Sequence, residues 1–114
     1  MFTIAPPDAF WYPVTVALID ADGKRTQHQF EARFKRYSRT QFEALVQRLQ
    51  SGEQTDLALA EDVLVGWRGV QDAEGQEVAF SAATRDALLD IWPVLPAVVG
   101  AFIEAHSPEG RAKN

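Results

Sequence analysis

The chain has 114 residues, with 16 acidic against 11 basic side chains, no cysteine and a formal net charge of −5. That length makes one domain, 1–114, with enough interior for a core without covalent staples. The missing cysteines exclude disulfides, thiolate metal sites and cysteine nucleophiles. Net negative charge argues against wholesale nucleic-acid binding, whose affinity comes from neutralising phosphates.

No run approaches eighteen consecutive apolar residues, so no membrane span is expected. Residues 1–8 carry two prolines and no basic lead, which is not the pattern of a signal peptide, and the cytoplasm is the expected compartment. The charge is segregated along the chain. Lys24, Arg25, Arg33, Lys35, Arg36 and Arg39 share one short segment. Between 53 and 90 the acids Glu53, Asp56, Glu61, Asp62, Asp72, Glu74, Glu77, Asp86 and Asp90 face only Arg68 and Arg85. Two readings fit: separate solvated faces, or complementary surfaces of neighbouring subunits in a homo-oligomer.

In chain order, Phe10, Trp11 and Tyr12 follow a proline-containing lead. They read as a cap folded over one end of the core or as an arm for a partner. Residues 13–19, rich in Val, Ile and Thr, read as a strand, and 27–36 as its return. Asp20-Ala21-Asp22-Gly23 is the turn between them, with Gly23 able to take positive φ. A three-residue loop puts Val14, Val16 and Leu18 on the face of His28 and Phe30, gathering the larger apolar side chains. A one-residue slip would invert that face.

Ser38 and Gln41 form a capping box, with Tyr37 and Phe42 at the two positions of a hydrophobic staple. The helix that follows shows Phe42, Leu45, Val46 and Leu49 to the core and stops at Ser51-Gly52. A second helix starts at Thr55 or Asp56 and shows Leu57, Ala60 and Leu64. Ser81 caps a third helix over 82–91, with Ala83, Ala87, Leu88 and Ile91 inward, ended by Pro93. The fourth begins between Pro93 and Pro96, with Val98, Val99, Phe102 and Ile103 as its stripe. A polar tail, 107–114, is expected to fray. The fold class is therefore α+β: a two-stranded antiparallel hairpin over 13–36 packed on a bundle of about four helices in 38–106.

Between the second and third helices lies the least helical stretch, 63–81, in which Val65, Trp67, Val70 and Phe80 are interrupted by three glycines. So much apolar area must be pinned onto neighbouring elements or a partner. Trp67 has two possible places, a plug in the core or an interface anchor.

Catalytic inventory is thin. His28 sits in a strand and His106 at a helix end, and both read as structural. Asp20, Asp22 and Glu31 have a calcium-loop spacing, but Lys24 stands at a ligand position and Arg25 where glycine is required. Gly66-Trp67-Arg68-Gly69 is no phosphate cradle, with Trp in the loop and no Lys-Ser or Lys-Thr after it. Glu61 and Asp62 are adjacent and point to different faces of a helix. No enzyme, metal or cofactor is expected. Basic strand residues near Phe30, Phe34 and Tyr37 suggest a single-stranded nucleic-acid platform, but the alternation turns those phenylalanines toward the core.

The pattern Val65-Gly66-Trp67-Arg68-Gly69-Val70, Asp72-Ala73-Glu74-Gly75, Val78-Ala79-Phe80-Ser81 and Leu88-Leu89-Asp90-Ile91, then a Pro-Val helix, resembles the tail assembly chaperones of long-tailed bacteriophages and prophages. Phe34-Lys35-Arg36-Tyr37-Ser38, where the hairpin hands over to a helix, belongs to the same resemblance, which covers most of 14–105. It implies a non-enzymatic protein of the host bacterial cytoplasm that coats the helical tape-measure protein and helps recruit the tail-tube protein. Phe10, Trp11, Tyr12, Arg33, Lys35, Trp67, Val70 and Phe80 are the candidate protein-binding residues. A head–tail or tail-completion component of the virion is the runner-up, and a small nucleic-acid-binding regulator the reading from another class.

Overall fold

A computed structural model describes residues 2–107. Three strands and four helices follow in the order β1 (Ala9–Ile19), β2 (Arg25–Lys35), α1 (Arg39–Ser51), α2 (Asp56–Val63), β3 (Leu64–Arg68), α3 (Ala82–Leu89) and α4 (Val94–Ala105). The α+β class holds, but the sheet has three antiparallel strands in the order β1-β2-β3 instead of the expected two.

The first hairpin forms in the expected register. Val14 lies opposite Phe30, Val16 opposite His28 and Leu18 opposite Thr26. Its loop is Ala21-Asp22-Gly23: the Asp20 N–H donates to the Lys24 carbonyl (2.8 Å) and the Gly23 N–H to the Asp20 carbonyl (3.0 Å). Asp20 Oδ1 accepts from the amides of Asp22 and Lys24, both at 2.9 Å, and Gly23 takes φ +81°. The identical device recurs at Asp72-Ala73-Glu74-Gly75. Asp72 Oδ1 accepts from the amides of Glu74 (3.0 Å) and Gln76 (2.9 Å), and Gly75 also takes φ +81°. A side chain at either glycine would strain a left-handed backbone. The stretch 70–78 is thus a small second hairpin, joined by the Gln71–Glu77 bridge and the Val78 N–H to the Val70 carbonyl (2.8 Å).

β1 begins at Ala9, four residues before the expected start, and takes in Phe10, Trp11 and Tyr12. They are strand residues opposite Phe34, Arg33 and Ala32. The pairs Asp8–Arg36 and Asp20–Lys24 bracket the ladder with hydrogen bonds, so even-numbered β1 residues bond to β2. Pro13, with no N–H to give, falls on the odd set that faces the open edge, which is where a proline is tolerated.

β3 lies inside the part expected to be helical. Leu64 leaves α2 in extended geometry (φ −85°, ψ 105°) and pairs with Phe34, while Trp67 pairs with Ala32 and Arg68 with Glu31. A bulge at Arg33/Phe34 sets that register.

One face of the sheet, carrying Val14, Val16, Phe30, Ala32, Phe34, Leu64 and Trp67, is buried under the helices. α4 packs against β1 and α2. The Ser38–Gln41 capping box forms with both bonds, and Gly52 closes α1 at φ +84°. Ser81 caps α3 in a second box, with Thr84 as its partner.

Three inward stripes differ from expectation. In α2 the core takes Leu59, Ala60 and Val63, leaving Leu57 exposed. In α3 it takes Leu89, with Leu88 half-buried, while Ala83, Ala87 and Ile91 face out and the helix stops before Ile91. In α4, Val94 and Ala101 join Val98, Val99 and Phe102, and Ile103 is exposed. The elements each helix rests on, the sheet for α2 and α4 and the neighbouring helices for α3, select the inward residues, not the apolar period alone. The expected frayed tail lies, beyond Ser107, outside the described residues.

Candidate functional site: three surfaces on a two-layer domain

The aromatic centre of the core holds the layers in place. Phe102, fully buried, meets Phe34 edge-on at 5.5 Å, Tyr37 at 5.2 Å and the His106 ring at 4.4 Å between centroids. His106 stacks on Phe42 at 5.3 Å and meets Phe10 at 5.5 Å. Its Nε2 lies 3.1 Å from the Tyr37 N–H and its Nδ1 3.0 Å from the Phe102 carbonyl oxygen. A backbone N–H can only donate, so Nε2 carries the lone pair and Nδ1 the proton. His106 is structural, as expected, but through a neutral ring that bonds two segments and not through a charge at the helix end. His28 stays on the hairpin, its Nε2 2.9 Å from Thr26 Oγ1.

Below this cluster, Asp62 on α2 joins two elements. Its Oδ1 pairs with Lys35 Nζ and its Oδ2 accepts from the Tyr37 hydroxyl, both at 2.8 Å. Burial alone would raise the Asp62 carboxyl, but the hydrogen bonds from Lys35 and Tyr37, with the charges of Lys35 and Arg48, outweigh it and hold it below 3.8. Burial first, and then the bond and charge of Asp62, push the Tyr37 hydroxyl from 10.0 up to about 12. The signs follow from linkage. Asp62 contributes stability above pH 3.8 that disappears as pH falls through its lowered folded value. Tyr37 contributes stability below pH 10.0 that disappears as pH rises toward about 12. Melting temperatures across pH 8–12 should therefore fall more steeply for the wild type than for Tyr37→Phe, which has no hydroxyl to ionise; parallel curves would contradict the linkage.

The outer face of the sheet brings together part of the expected site. Trp11 is 37% exposed, with the Arg33 guanidinium 5.4 Å and the Arg68 guanidinium 4.0 Å from its ring centre. Arg68 Nε and Nη2 each lie 2.7 Å from Glu31 Oε1. Alternation along β2 adds Arg25 and Lys35 to the same face. Gly66, opposite Arg33, leaves room for that side chain to lie across the sheet, because a Cβ there would stand 3.3 Å from Arg33 Cβ.

The remaining expected residues fall elsewhere. Phe10 turns inward to Phe34 at 6.0 Å, with Arg36 over its outer ring face at 5.0 Å, and Tyr12 is half-buried on the inner face. Trp67 takes the core place, 8% exposed, with Phe80 edge-on at 5.0 Å and its Nε1–H donating to the Val78 carbonyl at 2.7 Å. Phe80 is thereby packed within the chain.

Val70 lines a second surface, an open cleft of 500 Å³ of mixed polar and apolar lining between the β1–β2 hairpin, the 70–78 hairpin and the α3–α4 corner. Val16, Phe30 and Val94 form its floor, Leu18, Leu88 and Ile91 its walls, and His28, Gln29, Gln71 and Asp72 its polar rim. A third surface is a 460 Å³ groove where α2 meets the α3–α4 corner. Leu57, Leu89, Trp92 and Leu95 make it apolar, and Glu61, Asp86 and Asp90 make it acidic. Trp92 is 83% exposed there, at the corner where α3 and α4 bend by 104°.

Sequence reasoning missed Arg68, Leu57 and Trp92. Parity would have found Arg68 had β3 been recognised, and Trp92 stands in the short link between α3 and Pro93, the residue that leads into α4. Among the described residues no group of three or more His, Asp and Glu side chains is placed to hold a metal ion. No single helix among them is long and apolar enough to cross a membrane.

No curated protein and no solved structure matches the chain. A family model described as YdaY prophage protein matches residues 21–109, from the first turn through α4, and the chain therefore belongs to the YdaY family of prophage proteins.

Proposed function

We propose that this prophage protein is a non-catalytic tail assembly chaperone that holds a long helical client, the tape-measure protein, and brings the tail-tube protein to it. The prophage origin comes from the family match. The tail-assembly part rests on the resemblance of residues 14–105 and on one physical observation, the cleft between the β1–β2 hairpin, Val70 and the α3–α4 corner. An amphipathic helix lays an apolar stripe into such a groove and keeps its polar side in water. The cleft offers an apolar floor and walls inside a polar rim, which is the complementary form. Many weak cleft contacts along one long client add up through effective concentration. The reading implies a homo-oligomeric protein working in the host cytoplasm without cofactors.

Co-expression with the long helical protein encoded in the same prophage tests this. The client is expected to stay soluble with the wild-type chain and to precipitate without it. Ile91→Glu, at a wall position 42% exposed, is expected to lose client retention while remaining folded. A client equally soluble in the absence of this chain overturns the proposal.

A further inference from the structure

The sheet's outer face and the α2–α3 groove lie on opposite layers and carry opposite charge. On the sheet stand the cations Arg25, Arg33, Lys35 and Arg68, of which Arg68 is held by Glu31 and Lys35 by Asp62 of α2. In the groove, Glu61, Asp86 and Asp90 stand beside Arg85, whose guanidinium is already held by Asp86 (2.9 and 3.0 Å) and the Glu61 carbonyl (3.3 Å). Arg33 has no carboxylate within ion-pair distance among the described residues and rests only on Trp11.

Each surface also offers apolar area to its complement. Trp11 and Val65 (41% exposed) lie on the basic side, Trp92 and Leu57 (46% exposed) on the acidic side. An indole left as open as Trp92 is a strong candidate anchor, because aromatic and arginine side chains dominate the centres of interfaces. Its ring face suits a guanidinium arriving from outside, with the carboxylates of Asp86 and Asp90 beside it.

We infer that these two faces are halves of one heterologous interface: the Trp11–Arg33–Arg68 face of one copy docks on the Trp92 groove of the next. Rigid copies joined in this way leave an unused basic face at one end and an unused acidic groove at the other, so growth continues to a ring or a filament. The cleft lined by Val70 shares no lining residue with the groove, so each copy in such an assembly would bring a client site of its own. The inference rests on the chaperone reading for its purpose, but its test needs no client.

Sedimentation velocity of the full chain at low salt, repeated at high salt, reads the assembly directly. The wild type is expected to form species larger than a dimer that shrink as salt screens the contact. Arg33→Glu and Trp92→Glu, both surface changes expected to keep the wild-type circular dichroism spectrum, are each expected to be monomeric at concentrations where the wild type assembles. That corresponds to a loss of affinity of about tenfold or more. Mixed together, the two variants are expected to give a one-to-one dimer that does not extend, since one intact basic face and one intact groove remain between them.

A wild type that is monomeric throughout, a variant that assembles normally, or a mixture that stays monomeric overturns the inference. So does an Arg33→Glu variant that loses binding to a labelled single-stranded oligonucleotide while assembling like the wild type. If Ile91→Glu still loses the client in any of these cases, the inference falls alone and the chaperone reading stands.

Discussion

Phe102→Ala is expected to remove about 3–5 kcal/mol of stability, the usual cost of deleting a fully buried phenylalanine. The position joins more elements than any neighbour on a single helix would. Its ring meets Phe34 of β2, Tyr37 and Phe42 at the entrance to α1, and His106 at the end of α4. Removing it leaves a void lined by aromatic rings whose backbones are fixed by the sheet and by the Ser38 capping box, so the site cannot collapse to fill the gap. Small domains have only about 5–15 kcal/mol in total. The variant should therefore lose about a fifth or more of its stability, with a melting temperature lower by roughly 10–20 °C. Urea unfolding checks it: the midpoint should fall while the slope stays constant. Phe102→Leu, which keeps most of the volume, should recover a large part of the loss. A loss below about 1 kcal/mol for Phe102→Ala would mean that the layers are held elsewhere.

Much of this core was legible in the residues. Asp20-Ala21-Asp22-Gly23 specified the loop, and the loop specified which face Val14, Val16 and Phe30 share. Ser38, Gln41 and Gly52 marked both ends of α1. These are local signals, complete within a few residues, and local chemistry decides them. β3 was not legible in that way. Leu64 to Arg68 contains a glycine and no clean alternation, and it becomes a strand only because β2 offers it an open edge, where the backbone groups of Glu31 and Arg33 point away from β1. The repeated Asp-Ala-acid-Gly turn at 72–75 was the available clue that another hairpin follows.

The candidate site was legible to the extent that parity was. Trp11 and Arg33 are directly opposite in the ladder, so extending β1 back to Ala9 would have placed both on the solvent face. The segregation of charge along the chain survived folding, with cations on the sheet and carboxylates on α2 and α3. The inward residues of α2 and α3 were misjudged for a related reason. A helix of eight residues has too few apolar positions for its period to name a face. Leu57 and Ile91, assigned to the core by period, are instead on the surfaces that the proposals use.

The three tryptophans separate core from surface in one experiment. Trp67→Ala is expected to cost about 3–5 kcal/mol and to broaden or abolish cooperative unfolding. The indole fills the space between β3 and the 70–78 hairpin, with Phe80 packed edge-on against it. Its Nε1–H is also the bond that ties the Val78 carbonyl to the sheet. Trp67→Phe keeps an aromatic ring but strips that donor, and a carbonyl left half-buried without it should cost about 1–3 kcal/mol. Trp92→Ala removes a side chain that water surrounds in the single chain, and at dilutions where the chain is monomeric it should change stability by no more than about 0.5 kcal/mol. Trp11→Ala loses two guanidinium contacts on an exposed face, about 0.5–1 kcal/mol. The order of losses, Trp67 well above Trp11 and Trp11 at or above Trp92, follows from burial and bonding alone. Should Trp92→Ala prove as damaging as Trp67→Ala at micromolar concentration, with the loss fading on dilution, Trp92 would be stabilising an assembly, as expected of the groove that receives the neighbouring sheet.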